Sequence, residues 1–334
     1  MKKIKFLLST LFCVLFTVIT LAQNSPALEK VKAIGNKFVS ESGKTMIFHG
    51  VNIRDPYDLR KDGKWSKDHF AMAKSWGADM IRLPVHPRSW HESGSDGYLE
   101  ILDQAVTWAK ELGVYLTIDW HSIGNLSEEK FQNPMYITTI EETSEFWNLI
   151  SGHFSGEPVI AMYELFNEPT VSGKQFGDMS WETWKELNEN MIKLIRKNDK
   201  ETVILVAGFN WAYDLTPIEN DPIAMPNIAY VSHPYPEKRK QPWEAQWEKD
   251  WGFVAKKYPV ILTEIGFALP EERGAHMPVR SDETYGNALV DFCSDRGISW
   301  VVWCFDNRWS PLMYTGDYQP TRQGTFFKKV MSDE

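Results

Sequence analysis

The chain reads as an α/β protein whose single domain is a (β/α)8 barrel of the TIM type with a short N-terminal β-hairpin. Two observations predict this. Short apolar segments alternate with helix-period segments as far as residue 304, the signature of parallel strands joined by right-handed crossovers. Eight such strands close most naturally on themselves, and the chain is too short for two sizeable domains but right for one large barrel. No Ser/Thr/Pro-rich linker and no internal repeat marks an appended module.

The hairpin comes first, with Phe38-Val39, a turn at Ser42-Gly43-Lys44, then Met46-Ile47-Phe48. Barrel strand one is expected at 47–53. A helix over 67–76 leads to strand two at 80–84. Leu99, Leu102, Val106 and Ala109 mark an amphipathic helix closed by Gly113 before strand three at 114–120. Phe146, Leu149, Ile150 and Phe154 mark the next, ahead of strand four at 159–166. Trp184, Leu187, Met191, Leu194 and Ile195 mark the one before strand five at 203–207. The fifth connection, with Pro217, Pro222 and Pro226, is irregular and precedes strand six at 228–233. A helix over 243–257 precedes strand seven at 260–264. Tyr285, Leu289, Phe292 and Cys293 mark the last connection, which Gly297 ends before strand eight at 299–304.

Residues 1–22 read as a signal peptide. Lys2, Lys3 and Lys5 precede an apolar stretch from 6 to 22, and small or polar residues around Ala22 suit cleavage after it. The stretch is short for a membrane span, and Phe12 before Cys13 argues against a lipoprotein. Cleavage removes 22 of 334 residues and three lysines but no acid, taking the formal charge from −9 to −12. An acidic chain without a basic run argues against nucleic acid and anionic membranes as partners. The expected mature protein, residues 23–334, is therefore secreted, to the extracellular space or the periplasm, and by default monomeric. Of its cysteines only Cys293 and Cys304 remain. Cys293 is expected near the end of the last helix, close to the start of strand eight, and Cys304 at that strand's far end, about 17 Å away at strand rise, beyond the roughly 7 Å reach of a disulfide. Fifteen Trp, twelve Tyr and eighteen Phe exceed what a core needs and suit stacking on the apolar faces of sugar rings.

Active sites of such barrels are built at the carboxyl ends of the strands, and polar residues gather there. Arg82 ends strand two and Asp119-Trp120-His121 strand three. Asn167-Glu168-Pro169 ends strand four and His233-Pro234-Tyr235 strand six. Glu264 ends strand seven and Trp303 strand eight. A strand that has just crossed a core has no structural need for a Glu at its tip. Two such tips suggest paired carboxylates facing one cleft, the equipment for hydrolysing a glycosidic bond.

The ordered set Arg82, His121, Asn167-Glu168, His233, Tyr235, Glu264 and Trp303 resembles glycoside hydrolase family five, over residues 50–303. The resemblance implies Glu168 as acid/base, Glu264 as nucleophile, Asn167 as ligand of the sugar 2-hydroxyl and Trp303 as the floor under the reactive sugar. It also implies internal cleavage of β-1,4-linked polysaccharide, an endo-glucanase on cellulose or mixed-linkage β-glucan first and an endo-mannanase or glucomannanase second. Arg82 and Tyr235 are suited to keep the nucleophile ionised, and His121 and His233 to orient Glu168 and the sugar hydroxyls. Trp211, in the loop after strand five, and His86, just beyond strand two, complete the candidate substrate-binding set. Trp90, Trp243 and Trp309 are weaker candidates. The run 231–235 and the exit 303–309 depart from the nearest cellulases and leave the substrate open.

Plainer readings stand beside these. A Glu at one strand end is usually a solvated rim residue, Arg82 could pair with a surface acid, and His121, His233 and Trp303 could be core residues. Asp119 serves equally well to orient His121. A metal-dependent hydrolase built on His86, His121, His233 and Asp119 is a rival, but His49 alone near strand one supplies no His-x-His pair. A non-catalytic carbohydrate-binding barrel is another, although both carboxylates and their supports are intact. No metal or organic cofactor is implied.

Overall fold

A computed structural model describes residues 28–171 and 175–333 of the chain; the expected signal peptide lies outside them. Eight parallel strands close into a barrel in sequence order, the eighth pairing with the first. They are His49–Asn52, Met80–Val85, Tyr115–Trp120, Ile160–Glu164, Val203–Ala207, Ile228–Val231, Val260–Ile265 and Ser299–Val302. The helices Lys67–Ser75, Ser95–Leu112, Ile140–His153, Trp181–Asn198 and Glu283–Ser294 wrap them. Side chains at the expected helix starts satisfy free backbone N–H groups: Ser66, Thr139, Ser180 and Asp282 cap four of these five. Gly113 closes the fifth in the left-handed conformation.

Several elements differ from expectation. The N-terminal hairpin is a three-stranded sheet, because Val31–Ile34 pairs with Lys37–Ser40 ahead of Thr45–Met46. The helix expected over 243–257 is α-helical only at Glu244–Asp250 and continues as a 3-10 turn at Gly252–Lys256. A short three-stranded sheet over the barrel mouth (Ile123–Asn125, Lys130–Phe131, Glu168–Pro169) and a closing helix, Arg322–Asp333, were not anticipated. Helix 322–333 matters for the site. From it, buried Gln323 donates to the Trp303 carbonyl at 2.9 Å and accepts from Phe267 N–H, holding the exits of strands seven and eight together. Gly266 fits between them because a Cβ there would meet the Trp303 carbonyl oxygen at 2.7 Å.

The barrel interior is layered. Met80, Met162, Leu205, Ala229, Ile261 and Val301 form one apolar cluster that Val31, Phe38 and Phe48 of the N-terminal sheet join, closing the end opposite the site. Two residues further along three of these strands, on the same face, stand Arg82, Glu164 and Thr263. The inward layer thus turns from apolar to polar within one strand period. Trp76, Trp120, Trp147, Trp184, Trp247, Trp251 and Trp300 are fully buried, so most of the tryptophan excess fills the layer between strands and helices. Trp90 and Trp243 are buried in that same core. Cys293 and Cys304 are separate, buried thiols.

Candidate active site

Arg82 is the organising residue. It is fully buried, and a guanidinium has five N–H donors in a fixed fork. Nε and Nη2 form a bidentate pair with Glu164 (2.7 and 2.9 Å), Nη1 reaches Asn52 (2.8 Å) and Glu264 (3.2 Å), and Nη2 reaches Asn167 (2.7 Å). Asp119 Oδ2 lies 3.0 Å away. Burial opposes the guanidinium's charge, but Asp119, Glu164 and Glu264 outweigh it and push its pKa up. The site therefore holds a permanent cation beside Glu264.

Glu264 lies inside strand seven rather than at its tip, where the pairing with strand eight shifts register between Leu262 and Ile265; such irregularities re-aim side chains. Its other oxygen accepts from the Tyr235 hydroxyl at 2.9 Å. Burial and the charge of Glu168 push its pKa up, whereas Arg82 and the Tyr235 hydrogen bond favour the carboxylate.

Glu168 has a different environment. Strand four ends at Glu164, and Glu168 belongs to the small mouth sheet, paired with Ile123. Its partner is His233, whose Nδ1 is 3.0 Å from Oε1. Thr263 Oγ1 donates to Glu164 at 2.9 Å and, with its hydrogen committed, accepts from His233 Nε2 at 2.9 Å. Burial pushes the His233 pKa down to about 4, so near neutrality the ring is uncharged, protonated on Nε2, with a lone pair on Nδ1. The hydrogen between His233 and Glu168 then belongs to Glu168. Burial pushes that carboxyl up to about 7, against Lys238 and Arg82. Both carboxyls are thus raised, but Glu264 sits among hydrogen donors and Glu168 against an acceptor.

The cleft, about 990 Å3, is lined by His121, Asn167, Glu168, Trp211, Tyr235, Glu264 and Trp303 among others. His121 Nδ1 is 2.6 Å from Asp119, and the ring lies parallel to Trp303 with centroids 5.3 Å apart. Asn167 gives its oxygen to Arg82, so its amide nitrogen is the free end; buried and unpartnered, it is poised to donate to a ligand. Trp211 is half-exposed, and its Nε1 donates to Gln132 at 2.9 Å. Trp309 also lines the cleft.

Three candidates expected to bind substrate do not line it. Arg82, His86 and His233 are buried beneath the lining; the first and last organise the carboxylates, while His86 is held by Asp55 at 2.9 Å, behind His121. Sequence reasoning missed Glu164, Thr263 and Asn52, the partners under the carboxylates, and Lys238 at the rim. For Glu164 one signal existed, a charge within an otherwise apolar strand.

Among the described residues the rival set of His86, His121, His233 and Asp119 does not gather its ligand atoms into a metal-sized cluster. Among the described residues Glu168, His233 and Glu264 do bring ligand atoms within 4.8 Å of one another. Arg82 already neutralises Glu264, however, and the His233 lone pair faces the Glu168 proton.

A barrel whose mouth holds paired carboxylates, one beside an arginine and one beside a neutral histidine, is a glycoside hydrolase. The chain belongs to the cellulases of glycosyl hydrolase family 5, whose model matches residues 39–308. It is similar to the β-glucanase SdGluc5_26A of Saccharophagus degradans, with 45% identity, a TM-score of 0.91 and coverage of 96% of this chain and 98% of that one. The structure of that enzyme in complex with cellotetraose matches equally, at 44% identity and TM-score 0.91, over 96% and 98% of the two chains. An endoglucanase of Paenibacillus polymyxa is 25% identical, covering 80% of this chain and 78% of its own. Endoglucanase E-5 of Thermobifida fusca is 24% identical, and its match covers 83% of this chain but only 56% of that protein.

Proposed function

We propose that the protein is an exported, retaining endo-β-1,4-glucanase acting on cellulose or mixed-linkage β-glucan. The observation that carries the mechanism is the closeness of Glu168 and Glu264, whose nearest oxygens lie within 4.8 Å. Retaining enzymes hold their carboxyls about 5–5.5 Å apart, whereas inverting ones leave about 6.5–9.5 Å for a water. In the first step a Glu264 oxygen bonds to the anomeric carbon as the glycosidic C–O bond breaks, and the leaving oxygen takes the Glu168 proton. In the second, Glu168, now a carboxylate, removes a proton from water, whose oxygen bonds to the anomeric carbon and displaces Glu264. Arg82 and Tyr235 support the charge that returns to Glu264. The Asn167 amide is suited to the sugar 2-hydroxyl, where hydrogen bonds strengthen in the transition state. The substrate class is supported by the relatives, one of which binds cellotetraose and others of which are endoglucanases.

The test is reducing-sugar release from carboxymethyl-cellulose, barley β-glucan, glucomannan and galactomannan, with Glu264→Ala as the blank. Activity on the glucans with retained anomeric configuration is expected. Activity confined to the mannans moves the assignment to an endo-mannanase, and inverted product sinks the two-step mechanism.

A further inference from the structure

Lys238 lines the cleft at its rim. Its ammonium donates to the Asn210 carbonyl at 2.9 Å and stands 4.9 Å over the Trp211 ring. The turn it touches is unusual. Asn210, Trp211 and Ala212 have φ of 61°, 55° and 53°, a left-handed conformation that non-glycine residues adopt singly and at a cost. Three in succession persist only where the surroundings hold them. Here the Phe209–Asp214 backbone pair closes the turn, His233 N–H holds the Ala212 carbonyl, Gln132 holds the indole nitrogen, and Lys238 holds both the Asn210 carbonyl and the ring.

The turn's place in the barrel sets its side of the substrate. Trp211 follows strand five and Lys238 strand six, next to Glu168 after strand four and across the mouth from Trp303 and Trp309 after strand eight. Glu168 protonates the leaving oxygen, so its side holds the leaving part of the chain. The Lys238 charge acts on Glu168 more strongly than on Glu264. Resting on the glucanase reading, we infer that Lys238 is a positioning residue for the leaving-group side. It braces the Trp211 platform against which the departing glucan stacks and places a positive charge beside the acid. The ammonium lies over the indole and Phe176 meets it at right angles with centroids 6.3 Å apart, so the platform offered to a sugar is the half-exposed part of the ring that lines the cleft.

The other charged and titratable groups facing Glu168 are Arg82, Glu164, Glu264 and His233, with Asp119 and the Tyr136 and Tyr235 hydroxyls behind them. Lys238 itself is faced by Glu168, Arg239 and Glu264, and burial brings its pKa down to about 8. Removing a cation beside a carboxyl favours its protonated form.

The experiment compares wild type, Lys238→Met, Lys238→Arg, Trp211→Ala and the Lys238→Met/Trp211→Ala double variant. Each is assayed on cello-oligosaccharides of four to six units and on a dinitrophenyl cellobioside, which has no sugar on the leaving side. Lys238→Met should lower kcat/KM on the oligosaccharides about fivefold, mainly through KM, as loss of a partly exposed cation–π contact implies. It should change the aryl glycoside less than twofold and move the alkaline limb of kcat/KM upward. Lys238→Arg should restore both KM and the limb, and Lys238→Met should add less than twofold in the Trp211→Ala background. Equal losses on both substrates, an unmoved limb, or a full additive loss in the double variant each overturn the proposal. A wild-type enzyme silent on every β-glucan sinks the glucanase reading and this proposal together, whereas any of those three results from an active enzyme sinks this proposal alone.

Discussion

Glu264 and Glu168 are the same residue type, both buried and both at the mouth of one barrel, yet their surroundings differ in kind. Glu264 faces two donors that are full at rest, a guanidinium and a hydroxyl. Glu168 faces an acceptor, the neutral His233, whose tautomer is set by Thr263 and, behind it, Glu164. The hydrogen bonds each carboxylate meets are thus set one layer beneath it, by which neighbours have hydrogens to give.

The strongest way to break the comparison is to remove the donor-fed side. Glu264→Ala should cost about 100,000-fold in kcat/KM on every substrate, near the scale seen when a nucleophile is lost. Azide should restore turnover of the dinitrophenyl cellobioside with inverted product, and no rescue would remove Glu264 from that role. Next comes Arg82→Leu, which leaves Glu164 and Asp119 buried without their cation. Breaking a buried pair from one end costs about 3–5 kcal/mol, so the melting temperature should fall together with activity; an unchanged melting temperature would mean the guanidinium is not the keystone of the floor.

Glu168→Ala tests the other side. It should lose about 1,000-fold on β-glucan, within the range for a general acid, but less than about tenfold on the dinitrophenyl glycoside, whose leaving group needs no proton. Equal losses would disqualify Glu168 as the acid. The finest test is Thr263→Val, which keeps the shape and removes the hydroxyl. Without an acceptor for Nε2–H, His233 is free to carry its proton on Nδ1 and donate to the Glu168 carboxylate. Stabilising the charged form lowers a carboxyl pKa, so the alkaline limb of kcat/KM should move down from about 7, with a stability loss of about 1–3 kcal/mol for the stranded buried groups. A limb that stays in place would mean that Thr263 does not set the tautomer.

Much of the tip layer was legible in the sequence. His121, Asn167, Tyr235 and Trp303 were read as candidates because each closes or follows an apolar run, and each lines the cleft. The layer below was not. Strands buried on both faces read as continuous apolar runs, so alternation does not separate inward Met162 and Glu164 from their neighbours. For the same reason Arg82 and His233 were expected against substrate, although they lie beneath it. In the mouth sheet the strand that carries Glu168 pairs with residues more than forty positions away, Ile123 opposite Glu168, and each strand of the sheet is too short to show a period. Helix 322–333, which pins Trp303 through Gln323, follows the last strand and was overlooked once the eight-strand pattern was complete.

What the sequence determined by itself is the order of strands and helices, and therefore which polar residues meet at one end of the barrel. Periodicity and caps are local, and a closed parallel barrel has only one end for its strand tips. What the tertiary structure decided is which partners each carboxyl meets, donors at Glu264 and the neutral His233 at Glu168. That depends on Arg82, Thr263 and Glu164 converging from strands two, seven and four, at distances set by barrel closure and by the irregular pairing at Glu264. Hydrogen bonds of about 3 Å between residues as far apart in sequence as 82 and 264 leave no trace in any local pattern.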